Sequence, residues 1–241
     1  MQSLRERRRR VLPGVGAELV DLLQVVLNRV RQAGAGGRAA SLGFQDAPVW
    51  PQPKGLPVIL VVAATERELA VVRGAETLCC GIGPVESAIS TATALVERRP
   101  DAVLHVGIAG AAALEAGTVV IGSEARYCDL ADPESALPRV ERAFPSAELV
   151  EAARRALPDA RVLPIATCGR VGGGAACEVE AMEGFGVLRA AELANVPAVE
   201  IRAISNRPED SDRGLWRIEA ALARLGEAVP PLLEELEPCV R

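Results

Sequence analysis

Histidine occurs once in the 241 residues, at His105, which excludes every zinc pattern needing two imidazoles and any His-containing triad in which that residue is not the base. Aromatic residues make up only 2% of the chain, too few rings to stack bases along a single strand. The six cysteines, at 79, 80, 128, 168, 177 and 239, contain no Cys-x-x-Cys pair, and no secretory signal is seen. Neither a disulfide frame nor a metal knuckle is indicated, and small buried thiols in a reducing cytoplasm are expected. Long hydrophobic runs are missing too: the longest, Leu56 to Ala64 with Pro57 inside it, falls well short of the ~20 residues that cross a bilayer. With 27 Lys+Arg against 32 Asp+Glu, the net charge of −5 argues against a general nucleic-acid binder.

What is present is aliphatic. Apolar residues form 49% of the chain, enough for a sizeable core of Val, Leu and Ala in one main domain. Residues 1–56 stand apart with nine Lys+Arg and four acids, a net +5 that leaves −10 for the remainder. Within this basic extension Gly14 to Ala33 suits one helix and Ala33 to Pro57 a linker, and Arg7 to Arg10 is a short cluster read as a solvated or disordered tail. A second reading starts the catalytic chain near Val58, with the first 56 residues an over-extended reading frame. An intact mass that includes Met1 to Leu56 would exclude it. The folded domain is expected over 57–241.

From Pro57 onward apolar runs alternate with amphipathic stretches. Strands are predicted over Val58 to Ala64, Thr77 to Cys80, Ala102 to Val106, Thr118 to Ile121, Val162 to Thr167 and Ala198 to Ile204. Helices are predicted from Glu66 to Val72, over Pro84 to Glu97, Ala147 to Leu157 and Val179 to Leu193, and from about Leu215 to Leu236 with an interruption at Pro230 and Pro231. The alternation implies a three-layer αβα sandwich around a central mixed sheet.

Two glycine motifs fail their usual tests. Cys80 to Glu86 follows a strand and opens a helix like a dinucleotide fingerprint, but Glu86 takes the third glycine's place. Gly169 to Gly174 has P-loop spacing, yet Ala175 and Ala176 replace the Lys and Ser/Thr that hold phosphate and magnesium, so a flexible loop is expected. Gly81 and Gly83 do suggest close backbone approach to a polar ligand at a strand end.

Five segments, taken in order, resemble the purine nucleoside phosphorylase and nucleosidase family, and more narrowly its futalosine hydrolase branch. They are Ala63 to Glu68 (AATERE), Cys80 to Val85 (CGIGPV), Val106 to Ala111 (VGIAGA), Val179 to Gly184 (VEAMEG) and Ile201 to Asn206 (IRAISN). The likeness covers about Val58 to Leu236; Ser123 to Tyr127 also looks like the nucleosidases. The resemblance implies a nucleoside phosphorylase-like fold, no metal or organic cofactor, a small-molecule nucleoside as partner, and a homo-oligomer without membrane or nucleic-acid binding.

The chemistry can be set beside that resemblance. Cleaving an N-ribosidic bond passes through a ribosyl cation and needs a base for water, an anchor for the ribose hydroxyls and an acceptor of charge on the leaving purine. Glu68 matches the family carboxylate that orients and deprotonates water, with Glu66 its nearby competitor. Glu183 matches the glutamate that accepts from the 2′ and 3′ hydroxyls, and Met182 beside it would pack on the sugar. Ala181 replaces the first glutamate of the Glu-Met-Glu form of the methylthioadenosine nucleosidases, which points away from that branch. Asn206 stands where adenine-releasing enzymes carry aspartate, and an amide can donate to a purine O6 while accepting from N7–H. His105 and Ile108 occupy positions that bind phosphate in the bacterial phosphorylases; Ile108 has no hydrogen-bonding group, so water is the expected nucleophile. Gly81, Gly83 and Ile108 are retained as substrate-binding positions, Trp216 is given an apolar packing role, and the purine-clamping residue within Ala166 to Gly174 is left unassigned.

The expectation is therefore a cytoplasmic enzyme splitting futalosine into hypoxanthine and dehypoxanthinyl futalosine, a step the resemblance places in menaquinone synthesis. The alternatives are another purine nucleosidase or phosphorylase, acting on inosine-like or methylthioadenosine/adenosylhomocysteine substrates, and a nucleoside-binding protein without catalysis.

Overall fold

All five residues of strand β1 (Ile59–Ala63) are buried, a continuous apolar run rather than an alternation, because both faces of this strand are covered. The computed structural model describes residues 57–130, 139–174, 177–210 and 212–240; the basic extension, with the helix and linker expected there, lies outside the described residues. The two faces of β1 belong to different cores. Ile59, Val61 and Ala63 pack in one cluster with Leu149, Ala152 and Ala153 of helix α3 (Ala147–Ala156) and Leu222, Leu225 and Val229 of α5 (Ile218–Leu236). Leu60 and Val62 pack in another, with Ala94 and Leu95 of α2 (Pro84–Arg98) and Val187 and Leu188 of α4 (Gly184–Leu193). Helices thus cover the sheet from both sides.

Strand β1 pairs in parallel with β2 (Glu76–Cys79) and β3 (Ala102–Ala111), and β3 continues in parallel to β8 (Ala198–Asn206). Beyond β8 the sheet turns mixed. β4 (Val119–Tyr127) runs antiparallel to β8 through Val119 to Ile121, then shifts register between Gly122 and Glu124 and pairs in parallel with β6 (Arg161–Thr167). The two-residue β5 (Arg142–Ala143) pairs with the end of β4. β6 pairs with β7 (Val179–Ala181), and β7 returns antiparallel to Gly110 and Ala111 of β3. These pairings close a ring through β3, β8, β4, β6 and β7 around a small third core that includes Val120, Ile165, Val179 and Ile204.

The expected mixed sheet closes into this ring through strand ends that the apolar runs did not mark. β3 and β4 continue well past the predicted Val106 and Ile121, through Gly107, Gly110 and Gly122, where a reading of apolar runs stops. Val179 to Ala181 likewise forms a strand and not the start of a helix, because pairing on both sides with β3 and β6 overrides local helix preference. Helix α5 runs unbroken through Pro230 and Pro231, with Leu225 and Val229 before them and Leu232 and Leu236 after them all buried. Packing on both sides of the pair outweighs the lost backbone bonds. No helix among the described residues is long and apolar enough to cross a membrane.

Candidate active site

Immediately after β1 the chain makes a single helical turn, α1 (Glu66–Leu69), whose N-cap Thr65 and third residue Glu68 form a capping box. Glu68 Oε2 accepts from Thr65 N at 3.0 Å and Thr65 Oγ1 at 2.8 Å. Its Oε1 reaches across to β3 and accepts from Ile108 N at 2.9 Å. Of the roughly four lone-pair sites on a carboxylate, about one remains for a ligand. The competitor Glu66 is exposed, whereas Glu68 is buried and lines the cavity described below.

Glu183, between β7 and α4, is also buried. Its Oε1 accepts from Gly83 N at 3.2 Å, and its Oε2 accepts from Arg202 Nη2 at 3.3 Å. That leaves about one site on each oxygen for a vicinal diol. Gly83 delivers this N–H from a positive φ of 95°, a conformation glycine adopts without strain.

Arg202 on β8 is fully buried and joins the two glutamates. Its Nε donates to Glu200 Oε1 at 2.8 Å, and its Nη1 to the carbonyl of Ile108 at 3.4 Å, the residue whose N–H holds Glu68. Burial works against its charge, but the carboxylates of Glu200, Glu183 and Glu68 raise its pKa above the ordinary value, so it stays a cation. His105 lies 3.1 Å from Arg202 Nη2 through Nε2 and is fully buried. Burial first, and the arginine second, push its pKa well below the usual range and leave the ring neutral. Glu200 is displaced the other way, raised chiefly by burial, with Glu183 adding and Arg202 opposing.

A cavity of about 610 Å³ brings the separate segments together. Glu68, Ile108, Met182, Glu183 and Asn206 all line it, although they come from α1, β3, the β7–α4 turn and β8. Asn206 Oδ1 accepts from Ser205 Oγ at 2.8 Å and its Nδ2 donates to the carbonyl of Arg207 at 3.2 Å. One acceptor site and one N–H remain on the amide. Trp216 also lines the cavity, its indole N–H donating to the Asp210 carbonyl at 3.2 Å and Arg213 lying 5.4 Å from the ring centroid.

Gly81 and Gly83 contribute indirectly. Ile82 between them lines the cavity, while the Gly83 amide is spent on Glu183. In the loop after β6, Gly169, Arg170 and Val171 reach the cavity wall. The amides of Gly172 and Gly174 donate to the Glu180 carboxylate at 2.6 and 2.9 Å, so this glycine loop is filled by a carboxylate of its own chain. Sequence reasoning gave Arg202 no role. Its signal was a lone cation within the otherwise apolar run Ile201 to Ile204, a position that burial permits only when the charge is paired.

Comparison with known proteins bears on this arrangement. The phosphorylase superfamily profile matches residues 32–236. Futalosine hydrolase of Streptomyces coelicolor is 38% identical over 194 residues, spanning 68% of this chain and 82% of that protein. A 5′-methylthioadenosine/S-adenosylhomocysteine nucleosidase of Lysinibacillus sphaericus is 41% identical over 73 residues, 29% of this chain and 32% of that one. Among solved structures, the nucleosidase of Neisseria meningitidis in complex with methylthio-immucillin-A superposes with a TM-score of 0.67 at 24% identity, covering 75% of this chain and all of that one. A futalosine hydrolase mutant of Helicobacter pylori does so with a TM-score of 0.66 at 16% identity and the same coverage. At these identities the superpositions establish the fold.

Proposed function

The chain belongs to the phosphorylase superfamily, and from that premise we propose that it is an N-glycosidase that hydrolyses futalosine to hypoxanthine and dehypoxanthinyl futalosine. The observation that carries this reading is that Glu68, Glu183 and Asn206, far apart in the chain, line one cavity with complementary hydrogen-bonding capacity left on each. Glu183 accepts from the ribose 2′ and 3′ hydroxyls while Met182 packs on the sugar. As the C1′–N9 bond breaks, its electron pair passes to the purine, which takes a proton at N7 from solvent, balanced by the proton that Glu68 takes from the attacking water and returns to solvent. Asn206 accepts from that N7–H and donates to O6. Glu68 takes a proton from the water whose oxygen bonds to C1′.

Water is favoured over phosphate by the surroundings of Ile108. Its side chain offers no hydrogen bond, its N–H is occupied by Glu68, the neighbouring His105 is buried and neutral, and the Arg202 guanidinium beside its carbonyl is already taken up by Glu200 and Glu183. Asn206 favours a 6-oxopurine over adenine, and Ala181 departs from the Glu-Met-Glu pattern of the methylthioadenosine nucleosidases. We extend the same reading to a three-layer αβα arrangement with a folded domain over 57–241, a homo-oligomer in the cytoplasm and a step in menaquinone synthesis.

The test is product analysis. Incubation with futalosine should release hypoxanthine at the same rate with and without phosphate, and faster than adenine from methylthioadenosine. Release that requires phosphate, or a preference for the adenine nucleoside, would overturn the assignment.

A further inference from the structure

Behind the cavity wall lies a carboxylate that the proposed mechanism does not use. Glu200 sits on β8 two residues before Arg202, so both side chains leave the strand on one face. It is fully buried, and its Oε2 has no hydrogen-bond partner among the described residues. A buried carboxylate with an unmet oxygen is costly and asks for a reason.

The reason is geometric. A guanidinium is a rigid planar fork, so pinning Nε fixes the direction of both terminal nitrogens. Glu200 Oε1 holds that Nε at 2.8 Å. From there Nη2 reaches Glu183 at 3.3 Å, and Nη1 reaches the Ile108 carbonyl at 3.4 Å; the amide of that same residue holds Glu68 at 2.9 Å. His105 backs the fork at 3.1 Å from Nη2. The main chain leaves little slack: a Cβ at Gly184 would fall on the Glu200 carboxylate, and one at Gly107 on Arg202 Nη1.

We infer that Glu200 is a positioning residue: it orients Arg202 so that Glu183, and through the Ile108 main chain Glu68, keep their places at the cavity wall. The inference rests on reading the cavity as a nucleosidase site. It predicts that the hydrogen-bond acceptor at Nε, and its reach, matter to turnover more than to substrate binding. A buried ion pair serving only the fold would behave otherwise: removing one partner would lower the melting temperature while kcat of the folded protein stayed near the wild-type value.

Three variants separate these roles when kcat, KM and thermal unfolding are measured together with futalosine. Glu200→Gln keeps an acceptor at the same reach and should hold kcat within about fivefold of the wild type. Glu200→Leu removes the acceptor and should lower kcat by about 10²-fold, the cost of a misplacement near 1 Å, with KM changed less than about fivefold. Should the leucine variant fail to fold, Glu200→Asp decides: it keeps the charge, falls one methylene short of Nε, and should lose at least about tenfold in kcat. Folded leucine or aspartate variants with wild-type kcat would overturn the role of Glu200 alone. A wild-type protein that releases no purine from futalosine or inosine would overturn the reading of the site itself.

Discussion

Arg202 and Glu183 form an ion pair 3.3 Å apart with side chains only 1% and 6% exposed. The same guanidinium serves Glu200 at 2.8 Å, so its loss would strand two buried carboxylates at once. Arg202→Leu should therefore lower the unfolding free energy by about 3–5 kcal/mol, read from urea denaturation. A loss under about 1 kcal/mol would show that the cluster is not held together by this residue.

Glu68→Gln removes the proposed base and keeps the shape of the side chain. Turnover should fall by about 10² to 10⁴ while calorimetry still detects nucleoside binding. Equal losses of turnover and binding would assign Glu68 to substrate anchoring instead.

Asn206→Asp replaces the amide N–H by a second oxygen against the purine O6. Hypoxanthine release should fall by about 10² to 10³, and the rate ratio of adenosine to inosine should rise. An unchanged ratio would remove Asn206 from purine recognition.

Gly107→Ala tests the close approach at the strand β3. The added methyl would fall on Arg202 Nη1 and lie 2.9 Å from Glu68 Oε1. Overpacking of this kind costs about 1–3 kcal/mol, and here it should also depress turnover because both groups at the clash belong to the site. Wild-type turnover with a wild-type melting temperature would mean that the strand shifts to make room.

His105 gives stability a pH dependence of definite sign. Its folded-state pKa lies well below 6.5, so under that pH the unfolded chain takes up a proton that the folded chain refuses. The contribution is fully present above about pH 6.5 and is lost as the pH falls. Relative to His105→Gln, the wild type should lose up to about 1.4 kcal/mol per pH unit below 6.5 and nothing above it, read from urea midpoints between pH 5 and 8. Glu200, shifted upward and 3.7 Å from His105 Nδ1, acts in the opposite direction, losing stability as the pH rises, so the imidazole is read from the slope below pH 6.5.

Much of the fold was legible in apolar periodicity. β1, β6 and helices α2 and α3 lie within one or two residues of their predicted bounds, because their runs are long and the helices open at clear start signals, Pro84 and Ser146. The ring was not legible. Gly107, Gly110 and Gly122 interrupt the runs of β3 and β4, yet all three lie within strands: a Cβ at Gly107 would collide with Arg202, and one at Gly110 or Gly122 would press on Asn206 or on Glu200 and Ile165. β7, only three residues long, is specified by its neighbours β3 and β6.

The sequence by itself determined which chemical groups are available: carboxylates at 68 and 183, an amide at 206, one histidine, and an isoleucine where an oxyanion would need a donor. Those follow from residue type, and no folding alters them. Only the tertiary structure decided that one buried arginine holds Glu183 directly and Glu68 through the Ile108 main chain, that Gly83 spends its amide on a glutamate, and that Glu200 stands behind them with an unmet oxygen. Such relationships join residues as far apart in the chain as Glu68 and Arg202, and the paired charges gain their strength from the exclusion of water, which exists only once the strands have closed.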